Sequence, residues 1–170
     1  AARLITNWLD KELERPNFEV ASCESKLNLS IGDLKLKLQV DRIDKTTSGD
    51  TLIIDYKTGT CTAKDLIHNK TTATQLPLYL YNKQNTATGI CFAKINTTET
   101  KFIGISATEL DTKGIKSNPD WNTIVKAWQE HLEDLAHRFA SSDSRMMPYE
   151  QEKTCTHCEF HPICQEQENV

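Results

Sequence analysis

Asp41-Arg42-Ile43-Asp44 and Ile53-Ile54-Asp55-Tyr56-Lys57-Thr58-Gly59 decide how this chain is read. An acid stands at the end of one apolar run. An acid and a lysine, one residue apart, stand at the end of the next. Side chains on a strand alternate between faces, so Asp55 and Lys57 point the same way. The arrangement brings two carboxylates and an ammonium within reach of one metal ion and one phosphodiester.

The flanking residues support that geometry. Leu34, Leu36, Leu38 and Val40 alternate with Lys35, Lys37 and Gln39, the pattern of a half-buried strand, and Asp41 continues the polar side. Ser48-Gly49-Asp50 is a turn signal. Thr51 to Lys57 runs apolar on both faces through Leu52, Ile53 and Ile54, as a central strand does. The two runs therefore read as a hairpin, with Asp41 near the end of one strand and Asp55 on its neighbour. Asp41 and Asp44 could be ordinary hairpin-end residues and Asp55-Lys57 a surface ion pair. Against this, a carboxylate in a central strand is costly unless paired or metal-bound.

Working outward, Leu4, Ile5, Trp8, Leu9 and Leu13 have helical spacing, which predicts a helix over about Arg3 to Arg15, stopped by Pro16. Phe18 to Leu29 reads as extended, with a turn at Gly32-Asp33. A short helix is expected around Ala63 to His68, and Thr74 is placed to cap another running to about Gln84. Ile90 to Ala93 and Lys101 to Ser106 read as strands. Asn118-Pro119-Asp120 predicts a helix start, with Pro119 in its first position. Trp121, Ile124, Val125, Trp128, Leu132, Leu135 and Phe139 form its expected apolar stripe. His68, His131 and His137 read as surface or loop residues. The expected class is α/β: a central mixed β-sheet flanked by helices.

The 170 residues suffice for a proper core, and no apolar run is long enough to span a bilayer. The chain shows no secretory signal pattern. With six cysteines, this predicts a reducing, cytoplasmic setting in which clustered thiols bind metal more often than they form disulfides. A start without Met, directly in an amphipathic helix, suggests a piece of a longer protein. The net charge of −4 excludes a bulk nucleic-acid binder, whose affinity comes from Lys and Arg displacing counterions. A metal can still supply local positive charge.

Asp41, then Asp55-x-Lys57, then Gln75-x-x-x-Tyr79 resembles the RecB/AddB-type branch of the PD-(D/E)XK nucleases. Gln75-Leu76-Pro77-Leu78-Tyr79-Leu80-Tyr81 is close to that family's wording, and the likeness extends from about Phe18 to Cys164. It implies a restriction-endonuclease-like core, a single nuclease domain over residues 1–170, divided into a core at 1–150 and a cysteine-rich segment at 151–170. It implies a Mg²⁺-dependent (or Mn²⁺-dependent) deoxyribonuclease, an exonuclease of DNA repair or recombination, acting on DNA delivered by a helicase-like domain or subunit. By resemblance, Asp41 and Asp55 bind the ion with the Tyr56 main-chain carbonyl. Lys57 serves the attacking water, and Gln75 and Tyr79 flank the site. Glu24 stands where these nucleases often carry a further acid. It could help hold metal or merely cap a strand.

The chain departs from the branch in one respect: no histidine precedes Asp41, where many members carry a metal-binding one. Asp10, Glu12 and Glu14 are the local substitutes. Leu38 also stands where the family often has Gly. A catalytically inactive nuclease-fold module for DNA binding or scaffolding is the alternative reading.

Cys155-x-x-Cys158-x5-Cys164 resembles the C-terminal triplet of the branch's iron-sulfur members. There a distant upstream cysteine completes a [4Fe-4S] cluster, as four thiolates do. Cys23, Cys61 and Cys91 do not stand at that ligand's place. Zinc, with His157 or His161 as fourth ligand, and a disulfide within the triplet are the competing readings.

Overall fold

The computed structural model describes residues 2–67, 74–81, 86–143, 155–156, 158–160 and 163–164. Helix α1 (Ala2–Leu13) leads into β1 (Phe18–Ile31), β2 (Leu34–Thr46) and β3 (Thr51–Lys57). Short helices α2 (Lys64–Ile67) and α3 (Gln75–Tyr81) follow. Then come β4 (Gly89–Ile95), β5 (Thr100–Ser106), β6 (Ile115–Ser117) and α4 (Trp121–Ala140). The strands form one six-stranded sheet in chain order. Pairs β3/β4 and β5/β6 are parallel and the rest antiparallel, so the mixed α/β sheet expected from the sequence is what the chain forms.

β1 and β2 make a long hairpin closed by Gly32-Asp33. Gly32 supplies the positive φ, 54°, that such a two-residue turn needs. The second turn closes where the Gly49 N–H donates to the Thr46 carbonyl at 3.0 Å. β3 carries Leu52, Ile53 and Ile54 fully buried, the signature of a strand covered on both faces. One face packs Ile53, Ile90, Phe92 and Ile103 under Leu76, Tyr79 and Leu80 of α3 and Trp121, Ile124 and Trp128 of α4. The other packs Leu52, Ile54, Cys91 and Phe102 beneath Trp8 of α1. At Gly104 a Cβ would meet Cys91 Cβ at 2.4 Å, so glycine lets β5 lie against β4 there.

Several expectations need correction. β2 runs through Asp41 to Thr46, because β1 keeps pairing with it, so Asp41 lies within a strand rather than near its end. The edge strand β6 was not expected: three residues carry too short a pattern to signal a strand. α4 starts at Trp121 with Asp120 at its cap and no side-chain cap bond. Pro119 precedes the helix, and Asn118 instead closes a turn by accepting the Asp120 N–H at 2.9 Å. The buried row of α4 is Ile124, Trp128, Leu132 and Ala136, a strict i, i+4 line. Leu135 and Phe139 lie off that line and are exposed. On α1 only Trp8 is buried, while Ile5, Leu9 and Leu13 face outward. The end of the helix expected to reach Gln84, and His68, lie outside the described residues. No helix among the described residues is long and apolar enough to cross a membrane.

Candidate active site

Arg42 pairs with Ile54, and continuing that register sets Asp41 abreast of Asp55. The backbone ladder stops there. In its place one oxygen of Asp41 (Oδ2) accepts the Tyr56 N–H at 2.9 Å. A side chain thus takes the position of a ladder carbonyl, and β2 and β3 part with their acids side by side.

Asp55 is 1% exposed. Lys57 Nζ lies 2.7 Å from its Oδ2. That contact is an ion pair without hydrogen-bond alignment, and Oδ1 is buried with no hydrogen-bond partner. Burial pushes the Asp55 carboxyl above its ordinary range, Lys57 pulls it back, and the Asp41 charge adds to the rise. Asp55 and Lys57 thus form an ion pair whose acid lies inside the protein rather than at the surface.

α3 supplies the next layer. Lys57 Nζ donates to Gln75 Oε1 at 2.9 Å. Gln75 Nε2 donates to Tyr79 Oη at 2.7 Å, and Tyr79 donates to the Gln39 main-chain carbonyl at 2.6 Å. Gln75 and Tyr79 share a helix face at i and i+4, so one face grips both the lysine and the β2 backbone. Burial pushes the Tyr79 phenol up, which keeps it a donor.

Glu24 sits on β1 between Cys23, paired with Arg42, and Ser25, paired with Val40, which places it abreast of Asp41. Three acids therefore lie in line across β1, β2 and β3. Glu24 has φ 51°, a left-handed conformation costly for a residue with a Cβ. Its carboxylate accepts from the Gln39 side chain. Gln39, overlooked in the sequence, thus binds Glu24 with its amide and Tyr79 with its carbonyl. The alternation that puts it two residues before Asp41, on the same face, was its available signal.

The acids of α1 do not replace the missing histidine. Glu12 bonds Arg42 at 2.8 Å and Arg15 at 2.7 Å. Glu14 pairs with Lys11, and α1 packs on the opposite face of the sheet through Trp8. On that face Asp44 is fully buried, held by Arg42 at 2.6 Å and Arg15 at 2.8 Å. Arg42 also donates to the Tyr56 hydroxyl at 3.1 Å, and Trp8 meets the Tyr56 ring edge-on. Tyr56 is thereby anchored from behind, while its backbone N–H serves Asp41 in front.

Of the C-terminal cysteines, Cys158 is exposed and Cys155 and Cys164 are half-buried. Among the described residues no three His, Cys, Asp or Glu side chains gather as a metal-holding group. His157 and His161 lie outside those residues.

The sequence profile of the PD-(D/E)XK nuclease superfamily matches residues 1–165. The chain belongs to that superfamily. Members of the superfamily generally use divalent metals. Among solved structures, the crystal structure of SSO0001 aligns with 97% of this chain and 69% of its own, at 21% identity and a TM-score of 0.48. No curated protein matches the chain.

Proposed function

We propose that this chain is a Mg²⁺- or Mn²⁺-dependent deoxyribonuclease domain of the RecB/AddB-type branch, acting as an exonuclease in DNA repair or recombination. One observation carries the proposal: a buried carboxylate, Asp55, keeps Oδ1 without a partner beside a second carboxylate and an ammonium. An orphaned buried oxygen is expensive unless something absent from the protein itself completes it. Two adjacent carboxylates are hard oxygen donors that fit such an ion. In this reading Asp41 and Asp55 hold the ion, with the Tyr56 main-chain carbonyl and Glu24 as further oxygen donors.

When bound, such an ion acidifies water and neutralises charge on a phosphate. The protein's own part falls to Lys57. Its side chain is 36% exposed, and its ammonium is held between Asp55 and Gln75. It orients the attacking water and stabilises negative charge developing on the phosphoryl oxygens. Gln75 and Tyr79 fix the direction of Lys57 relative to β2, so the lysine and both acids keep one geometry.

The net charge of −4 supports a module that receives DNA from a helicase-like domain or subunit. The cluster reading of Cys155, Cys158 and Cys164 rests on their spacing alone. Among the described residues the three thiols form no metal-holding group. Iron and sulfide determination on the anaerobically purified, longer protein tests it, and stoichiometric zinc without iron would rule it out.

The test of the nuclease reading is DNA degradation by the complete protein with Mg²⁺, with Mn²⁺ and with chelator. Cleavage is expected only with the ions, and Asp55→Ala should abolish it. DNA binding without cleavage under every condition would instead mark an inactive nuclease-fold module.

A further inference from the structure

Lys57 has company at its end of the sheet. In the parallel ladder of β3 and β4 it lies opposite Lys94, and in the antiparallel ladder of β4 and β5 Lys94 lies opposite Lys101. In-register residues on neighbouring strands share a face. That face is the one carrying Asp55: Ile53, Phe92 and Ile103, at even spacing from the three lysines, all pack into the core beneath α3 and α4. Burial raises the Cys61 thiol in the loop after β3, while the charges of Lys94, Lys57 and Lys101 each pull it down.

One anion already sits in this row. Glu99 places Oε1 2.5 Å from Lys94 Nζ and Oε2 2.6 Å from Lys101 Nζ. The β4–β5 turn holds it there: Asn96 Oδ1 accepts the N–H groups of Thr98 at 3.0 Å and Glu99 at 2.9 Å. A carboxylate bridging two ammonium groups makes the contacts that a phosphate would make. Two inter-strand spacings give the row a length of about 10 Å. A row of that length follows more than one phosphate of a single strand. Asp55 pairs with Lys57 and Glu99 with Lys94 and Lys101, so displacement of Glu99 is what frees two ammonium groups for a phosphate.

We propose that Lys94 and Lys101 form a phosphate track leading one strand of single-stranded DNA away from Lys57 across β4 and β5, with Glu99 holding a phosphate position until the strand arrives. A single row follows one backbone, which suits a single strand better than a duplex. The inference deepens the nuclease reading by naming where its substrate runs.

The test is the salt dependence of oligodeoxythymidylate binding to the full chain, in chelator so that nothing is cut. Lys101→Ala should lower the slope of log K against log salt by about 0.7, and the Lys94→Ala/Lys101→Ala pair by about 1.4. Glu99→Gln should tighten binding, and Lys45→Ala, paired with Thr51 at the other end of β3, should leave the slope unchanged. Unchanged slopes in the Lys101 variants, an equal loss with Lys45→Ala, weaker binding with Glu99→Gln, or no binding at low salt would each overturn the track. Because binding is read without divalent ions, a failure to cleave DNA in the separate assay with Mg²⁺ would count against the nuclease reading and leave the track standing.

Discussion

The phenol of Tyr79 donates to the main-chain carbonyl of Gln39 at 2.6 Å, tying α3 to the strand that carries Asp41. It also accepts from Gln75, which in turn holds Lys57. Tyr79→Phe removes both contacts from a buried position. It should cost about 1–2 kcal/mol of stability, the usual penalty for orphaning a buried carbonyl. DNA cleavage should fall roughly tenfold, equivalent to about 1.4 kcal/mol, as Lys57 loses its fixed direction. Denaturant titration and single-turnover cleavage check the two effects, and an unchanged cleavage rate would remove Tyr79 from the positioning chain.

Lys57→Ala should abolish detectable cleavage, a loss of at least about 10²-fold for removal of a charge-stabilising donor. Its loss leaves the buried Asp55 without its cation, so the melting temperature should fall by a few degrees while the protein stays folded. Cleavage at the wild-type rate would show the proposed mechanism to be wrong.

Asp55 links stability to pH. Its folded-state pKa is raised above the ordinary carboxylate value, chiefly by burial. The folded state therefore holds this proton more tightly than the unfolded one. The stabilising contribution is present at pH below the ordinary value and is lost as pH rises through the raised value. Asp55→Asn carries no charge to desolvate. Without divalent ions its melting temperature should match wild type in acid and exceed it by a few degrees at neutral pH. Added Mg²⁺ should raise the wild-type value alone, increasingly as pH climbs through the same range, because ion and proton compete for Asp55. Thermal melts across pH, with and without Mg²⁺, read both trends. A neutral-pH variant no more stable than wild type would contradict the burial cost.

On the opposite face, Asp44→Ala should cost about 3–5 kcal/mol, because it leaves buried Arg42 and Arg15 short of their shared acid. Replacing Arg42 and Asp44 together with apolar residues should cost less than the sum of the two single changes. A double-mutant cycle in urea measures the difference, and additive effects would show that the residues act independently.

The parts of this arrangement legible in the sequence follow short-range rules. Alternation put Asp55 and Lys57 on one face, and i, i+4 spacing put Gln75 and Tyr79 on another. The α/β sheet followed from the order of apolar runs. Other features depend on register between distant strands, which no local pattern encodes. The alignment of Glu24 with Asp41 depends on pairing across the long β1–β2 hairpin, which also shifts register between Val20 and Ser22. The row of Lys57, Lys94 and Lys101 exists only once β4 lies parallel to β3. Glu12 looked like a free helical acid because its partners, Arg15 and Arg42, meet it only when α1 docks.

Glu12, Arg15, Arg42 and Asp44 are neutral as a set: two acids and two guanidinium groups, shut between α1 and the sheet. Each first departure from that set leaves one charge in excess in a space largely closed to water. A lineage changing one residue at a time must cross that barrier before any compensating change can help. An alignment of relatives should therefore show the four positions changing together or not at all, although none of the four belongs to the proposed catalytic set.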